Sequence, residues 1–192
     1  MKCLVVVAHP DDETIWMGGY ILQNKEFDWE IISLCRKDDS DRNPKFKKVC
    51  RELNASCYMN DLDDETMEDL DSEQVIDKIK EALKAEDYDC IFTHGKNGEY
   101  GHKRHIDVHN AVNKMIKEDE LRCKKIFYFA YLGENLPGKN CYIDKNASKF
   151  IKLPMEIYEK KIHLIKDIYG FASDSFEVKS AGEVESFNTN IK

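Results

Sequence analysis

An α/β fold, a three-layer sandwich around a mostly parallel central sheet, is what the 192-residue sequence predicts, and three observations predict it. Short apolar runs rich in β-branched and aromatic residues recur at 3–8, 29–35, 56–59, 88–93 and 125–132. They are continuous rather than alternating, as in strands covered on both faces. The stretches between the first four carry apolar residues at helical spacing, so strand and helix alternate. That alternation requires right-handed crossovers and gives a Rossmann-like sheet with helices on both sides. Ligands in such sheets gather outside the carboxyl ends of the strands, which is where the active site is expected.

The first run, Cys3-Leu4-Val5-Val6-Val7-Ala8, stops at His9-Pro10 and passes through Asp11-Asp12-Glu13 into the helical spacing of Ile15, Trp16, Gly19 and Leu22. The second, Trp29 to Cys35, leads into a charged loop over 36–43, and Pro44 suits the first turn of the helix that follows. After the brief strand 56–59, residues 60–71 are acidic and turn-rich and read as a solvated face, with Asp61 or Asp63 at the rim of a pocket. Ser72 is placed to start an amphipathic helix through Val75, Ile76, Ile79 and Leu83. The fourth strand, 88–93, runs into His94, and 125–132 reads as one unbroken fifth strand. Residues 135–146 read as a loop with Pro137 and Gly138, 150–153 as a short edge strand, and Pro154 as the start of a last long helix. The polar remainder, 172–192, reads as a surface flap or tail of a single domain spanning 1–192.

Composition narrows the function. A formal charge of −8, with acidic residues spread along the chain, argues against a general nucleic-acid or anionic-membrane binder. The N-terminal apolar run is too short for a signal sequence, and no segment approaches the roughly 20 apolar residues that cross a bilayer. The expected location is cytoplasmic. Seven widely spaced cysteines without a C-x-x-C pair fit reduced, buried thiols.

Two polar constellations follow strands of the same predicted sheet. The first is His9, Asp11 and Asp12, an imidazole and two carboxylates whose crowding is costly unless a cation neutralises it. The second is His94-Gly95-Lys96-Asn97-Gly98-Glu99-Tyr100-Gly101-His102-Lys103-Arg104-His105, continuing to His109. His102, His105 and His109 line one face of a helix starting near Gly101. Both groups sit at the sheet's carboxyl edge, so they can meet. A divalent ion held by His9, Asp12 and one histidine of the H-x-x-H pair has three protein ligands and a vacant position, as catalytic zinc does. Its water ionises near a pKa of about 7. Asp11 is placed to take the proton, and the histidine off the metal to donate to an oxyanion. The bland readings are helix capping for the carboxylates and packing for His94 and His109, with Trp16 and Met17 in the core and His163 exposed or half-buried.

The stretches Ala8-His9-Pro10-Asp11-Asp12-Glu13-Thr14 with Gly18-Gly19, and His94 with Gly98-Glu99-Tyr100-Gly101-His102-x-x-His105-x-x-Val108-His109, resemble the PIG-L/LmbE-like family of zinc-dependent N-acetylglucosaminyl deacetylases. The resemblance implies His9, Asp12 and His105 as metal ligands, Asp11 as general base and His102 facing the tetrahedral intermediate. It further implies Tyr100 at the substrate carbonyl and, more loosely, Arg42 toward the substrate. Two positions depart from the family pattern. Arg104 stands where the family commonly has an acidic residue that supports His102, leaving Glu99 or Asp11 and the metal to compensate, and Lys45 replaces an acidic residue after the arginine.

The expected activity is zinc-dependent removal of an N-acyl group, N-acetyl foremost, from an amino sugar or its conjugate, with iron(II) or another divalent ion as alternative cofactor. Lys96, Lys103 and Arg104 suggest an anionic substrate as readily as a solvated helix turn. A homo-oligomer is compatible with the sequence. Competing readings are a non-haem iron oxygenase, which also uses two histidines and a carboxylate, and a metal-binding module without turnover.

Overall fold

The computed structural model describes residues 1–134, 136 and 139–191. Strands and helices alternate first: β1 (Lys2–Val7), α1 (Asp12–Gln23), β2 (Asp28–Ser33), α2 (Arg42–Glu52), β3 (Ala55–Met59), α3 (Ser72–Ala82) and β4 (Asp87–Thr93). A single turn, α4 (Gly98–Gly101), precedes α5 (Lys103–Lys117) and β5 (Arg122–Phe129). The chain ends in β6 (Tyr131–Leu132), β7 (Tyr142–Ile143), β8 (Lys149–Lys152), α6 (Met155–His163), α7 (Phe176–Ser180) and β9 (Val184–Ile191).

Seven strands form one sheet in the order β3-β2-β1-β4-β5-β9-β8. The first five are parallel, and β9 runs antiparallel between β5 and β8. From β1 the chain winds outward to β2 and β3, then returns to place β4 on the other side of β1. The strand order therefore reverses between β1 and β4, and the loops after those two strands part around a crevice at their carboxyl ends. This is the α/β layout the periodicity predicts.

Alternate residues of β1 feed two apolar layers. Cys3, Val5 and Val7 pack with Trp16, Phe46 and Ile165 on one face, while Leu4 and Val6 pack with Ile76, Ile79, Val108 and Val112 on the other. Each fully buried aliphatic side chain contributes about 1.5–3 kcal/mol, so both faces of β1 hold the two loops at a fixed separation. Among the described residues no helix is long and apolar enough to cross a membrane.

Several expectations are corrected. Residues 172–191 are not a flap or tail: they supply α7 and the inner strand β9, in which Glu185, Ser186 and Phe187 are fully buried, and Lys192 lies outside the described residues. The segment reads as polar, yet its polar groups find partners on distant parts of the chain inside the protein. Glu185 accepts the Gly19 and Tyr20 backbone N–H groups and the Lys161 ammonium, each at 2.8 Å. The fifth strand breaks at Ala130, whose N–H bonds Ser186 O and whose carbonyl takes the Asp144 N–H, releasing Tyr131 and Leu132 into a separate ribbon with β7. Its second strand, β7, lies within the expected 135–146 loop, of which Asn135, Pro137 and Gly138 are outside the described residues. α3 does start at Ser72, as expected, and the residue before it, Asp71, is its N-cap, in a capping box with Gln74.

Candidate active site

The turn after β1 is set by the His9 carbonyl, which accepts the N–H groups of Asp11 and Asp12 at 3.0 and 3.3 Å. The Asp11 carbonyl then starts α1 by accepting from Thr14 and Ile15, so three polar side chains fall within one tight bend. The loop after β4 is tied to it through the Ala8 N–H, which donates to His94 Nε2 at 3.0 Å. Glu99 takes a left-handed backbone, φ 58°, which costs a residue with a side chain about 1–2 kcal/mol. That conformation is held by what its buried carboxylate collects. Oε2 accepts from Nδ1 of His94 at 2.8 Å and of His105 at 2.6 Å, and Oε1 from the Gly95 N–H at 2.7 Å.

These bonds leave three donor atoms converging. His9 Nδ1 lies 3.1 Å from His105 Nε2 and 3.2 Å from Asp12 Oδ2, and His105 Nε2 lies 3.4 Å from Asp12 Oδ2. The far nitrogen of each ring faces a carboxylate, His9 Nε2 on Asp64 at 2.9 Å and His105 Nδ1 on Glu99. Both rings thus aim a lone pair at the same point, an arrangement two neutral imidazoles cannot satisfy between themselves. A tetrahedral ion about 2.0–2.1 Å from each donor keeps donors about 3.3–3.4 Å apart, so the spacing fits one divalent cation. The outward hydrogen bonds are the kind that orient metal-bound histidines. Asp12 is fixed as well: Oδ2 accepts the His9 N–H at 2.8 Å, and Oδ1 the Trp16 indole N–H at 2.9 Å. Other overlapping sets, His9 with His102 and His105, Asp12 with His94 and His105, and His9 with Cys35 and Asp64, also bring donor atoms close. His94 is the weaker donor, because its Nε2 lone pair is taken by the Ala8 N–H.

The electrostatics match a cation site. Burial disfavours a charged His9, yet the Asp12 and Asp64 carboxylates pull it up to about 10, so without a metal ion a proton takes that place. Burial also opposes ionisation of Asp12, but His105, His94 and His9 hold its carboxyl well below the usual range. Glu99, equally buried, is brought to about 2 by His94 and His105. Asp11 behaves differently: burial pushes it up to about 7, the Asp12 charge adds to this, and His9 and Arg42 oppose it.

Asp11, Arg42, Tyr100 and His102 line one open cavity with His9 and Asp12. Arg42 donates to Asp11 at 2.8 Å and stacks on the Phe171 ring at 4.4 Å. The His102 ring packs 4.7 Å from His9 and 4.6 Å from His105, and its Nδ1 is buried without a partner. Burial and the neighbouring imidazoles push His102 down to about 3. Glu99 therefore does not stand in for the acidic residue missing beside His102; it serves His94 and His105.

Arg104 and Lys103 are not available as an anion site. Arg104 is fully buried against Asp63 and Asp107, and Lys103 pairs with Asp69. Lys96 faces a separate cavity of about 480 Å³ behind the Glu99 network, with His109, Tyr128 and Asp144. The cations on the candidate active-site cavity are Arg36 and Arg42, joined there by Phe176 and Glu177 of α7. In the acidic 60–71 stretch, Asp64 reaches the site, whereas Asp61 pairs with Lys78 and Asp63 with Arg104. No local pattern marks Asp64 among so many acidic neighbours, and Phe176 and Glu177 lie in the segment that reads as a tail. Trp16, assigned to the core, has its ring there but spends its N–H on Asp12.

The family model described as PIG-L: GlcNAc-PI de-N-acetylase matches residues 4–116. An uncharacterized protein, L374, of Acanthamoeba polyphaga mimivirus is 20% identical over 185 residues, covering 88% of this chain and 75% of that protein. Among solved structures, the 4-carboxy-2-hydroxymuconate hydratase GalB of Pseudomonas putida KT2440 aligns with a TM-score of 0.68 at 14% identity, covering 98% of this chain and 96% of that one. The zinc-inhibited form of the teicoplanin deacetylase Orf2 aligns at 0.63 and 10% identity, over 98% and 97% of the two chains. The A40926 pseudoaglycone deacetylase Dbv21 aligns at 0.60 and 12%, over 98% and 95%. At such identities these likenesses concern the fold.

Proposed function

The chain belongs to the PIG-L family of GlcNAc-PI de-N-acetylases, and on that premise we propose that it hydrolyses the N-acyl amide, N-acetyl foremost, of an amino sugar or its conjugate. In this reading His9, Asp12 and His105 hold a divalent ion, zinc foremost. The observation that carries it is the convergence of their three donor atoms within 3.1–3.4 Å at the edge of a cavity that also holds Asp11 and His102. The fold does not choose the reaction, since a hydratase shares it; family membership and the donor set favour amide hydrolysis.

When bound, the ion supplies a water that ionises near neutral pH and polarises the amide carbonyl. Asp11 accepts the proton lost by the attacking water and delivers it to the departing nitrogen, giving a free amine and a carboxylate. Arg42, braced by Phe171, keeps the Asp11 carboxylate turned to the cavity. His102 and Tyr100 donate to the carbonyl oxygen as it gains charge. Because nothing supports a charge on His102, it acts as a neutral donor. An anionic group on the sugar meets Arg36 and Arg42.

The test is a panel of N-acetyl sugars and their phosphates, incubated with zinc-loaded protein and assayed for free amine. Asp11→Asn should lose at least about 10²-fold in rate with zinc content unchanged. A variant as active as the parent sinks the assignment of Asp11. Zinc uptake with no amine released from any substrate favours a binding module, and activity that needs oxygen favours an oxygenase.

A further inference from the structure

We propose that Arg104, the residue that departs from the family motif, is a positioning residue for the metal centre: it straps the loop after β3 so that Asp64 holds His9 by its outer nitrogen. The inference rests on reading His9 as a metal ligand.

The Arg104 guanidinium is fully buried, and its donors are spent almost wholly on that loop. Nε bonds the Asp63 carbonyl, Nη2 the Asp63 carboxylate at 2.9 Å, and Nη1 the Glu68 carbonyl at 3.0 Å. The remaining contact, Nη1 to Asp107 at 2.9 Å, ties the guanidinium back to α5. Lys103 adds a bond to the Met67 carbonyl at 2.6 Å. Residues 60–71 belong to no helix or strand, and backbone bonds to Ser33, Leu34 and Lys37 fix only the first of them, Asn60 and Leu62. From Asp63 to Glu68, two adjacent side chains at the start of α5 hold the path.

Asp64 lies between the anchored ends. One carboxylate oxygen takes His9 Nε2 at 2.9 Å, and the other accepts Arg36 Nη2 at 2.8 Å. With a hydrogen on Nε2, His9 keeps its Nδ1 lone pair for an ion, which is the orienting role that outer carboxylates play for metal-bound histidines. A carboxylate at position 104 would repel a loop carrying Asp61, Asp63, Asp64, Glu65, Glu68 and Asp69. A guanidinium draws it in, and burying that charge is tolerable only because every contact is paired. The change that removes support from His102 thus delivers support to His9.

The experiment is a double-mutant cycle on zinc affinity, measured in competition with a chromophoric chelator. Arg104→Gln and Asp64→Asn should each weaken zinc binding by about 10–100-fold, and the double variant should bind no more weakly than the worse single one. A merely structural role for Arg104 would not produce that coupling. Losses that multiply, or a folded Arg104→Gln with unchanged affinity, overturn the inference. Should Arg104→Gln fail to fold, Asp63→Ala removes one strut at a half-exposed carboxylate and should still weaken zinc binding several-fold; unchanged affinity there overturns the inference equally. His9→Ala separates the two levels. If it leaves zinc binding intact, the reading of His9 as a ligand has failed and the strap with it; if it abolishes binding while Arg104→Gln and Asp63→Ala bind normally, only the strap has failed.

Discussion

Replacing Glu99 with glutamine tests how the protein prepares His105 for a cation. The carboxylate of Glu99 receives three N–H groups on two oxygens, from His94, His105 and the Gly95 backbone. Glutamine has one acceptor oxygen and one NH₂ group, so in either orientation an N–H faces another N–H. If its oxygen takes both imidazoles, the Gly95 N–H is stranded at a cost of about 1–3 kcal/mol. If its NH₂ faces the imidazoles, His105 must accept at Nδ1, and its proton moves to Nε2, the atom aimed at the ion. Even in the milder orientation the ring loses the negative charge that raises its basicity. Changing such an outer partner typically costs 10–100-fold in metal affinity, or about 1.4–2.7 kcal/mol. Chelator competition reads the affinity, and urea unfolding of the zinc-free protein reads the stranded N–H separately. A Glu99→Gln protein that binds zinc as tightly as the parent refutes the reasoning.

Glu13 gives a pH signature of stability. Burial pushes its carboxyl up from an ordinary 4.5 to about 8, and one of its oxygens is buried without a partner. The unfolded chain releases this proton above about 4.5 while the folded chain keeps it to about 8, so Glu13 makes stability fall as pH rises across that window and level off above it. Glu13→Gln should remove the Glu13 share of the decline, up to a few kcal/mol at pH 8, leaving the part that Asp11 contributes between about 4 and 7, and denaturant titrations showing the same slope in both proteins would contradict this. Phe187→Ala should cost about 3–5 kcal/mol in urea unfolding, as a core strand requires and a surface tail does not. Chelation should abolish activity and added zinc restore it; full activity in chelator would remove the metal from the account. Arg36→Ala should raise KM for a phosphorylated N-acetyl sugar more than for its neutral counterpart, whereas Lys96→Ala should raise neither.

Much of this was legible in the sequence. The apolar runs specify both the strands and their burial, and the two polar stretches fall where the strand order turns, so His9, Asp11, Asp12, His102 and His105 could be placed near one another from the chain alone. What escaped was long-range and polar. Glu185 looks solvent-facing until the Gly19, Tyr20 and Lys161 donors whose hydrogen bonds it accepts are known, and Ser186 until its hydroxyl is seen to donate to the Ala130 carbonyl. Asp64 is one acid among many until Arg104 and Lys103 fix the loop around it. Arg104 itself reads as a surface or substrate-facing cation, because nothing local shows that Asp63 and Asp107 enclose it. Hydrogen bonds between distant segments decide these cases, and hydrophobic periodicity carries no trace of them.

In the proposed function the loops after β1 and β4 jointly hold one divalent ion. Anomalous scattering at the zinc edge, from crystals grown with one equivalent of zinc, would locate it. A single strong peak is expected about 2.0–2.2 Å from His9 Nδ1, Asp12 Oδ2 and His105 Nε2. A peak bound instead at His9 Nε2 with Cys35 and Asp64, or no peak at that edge of the sheet, would contradict it.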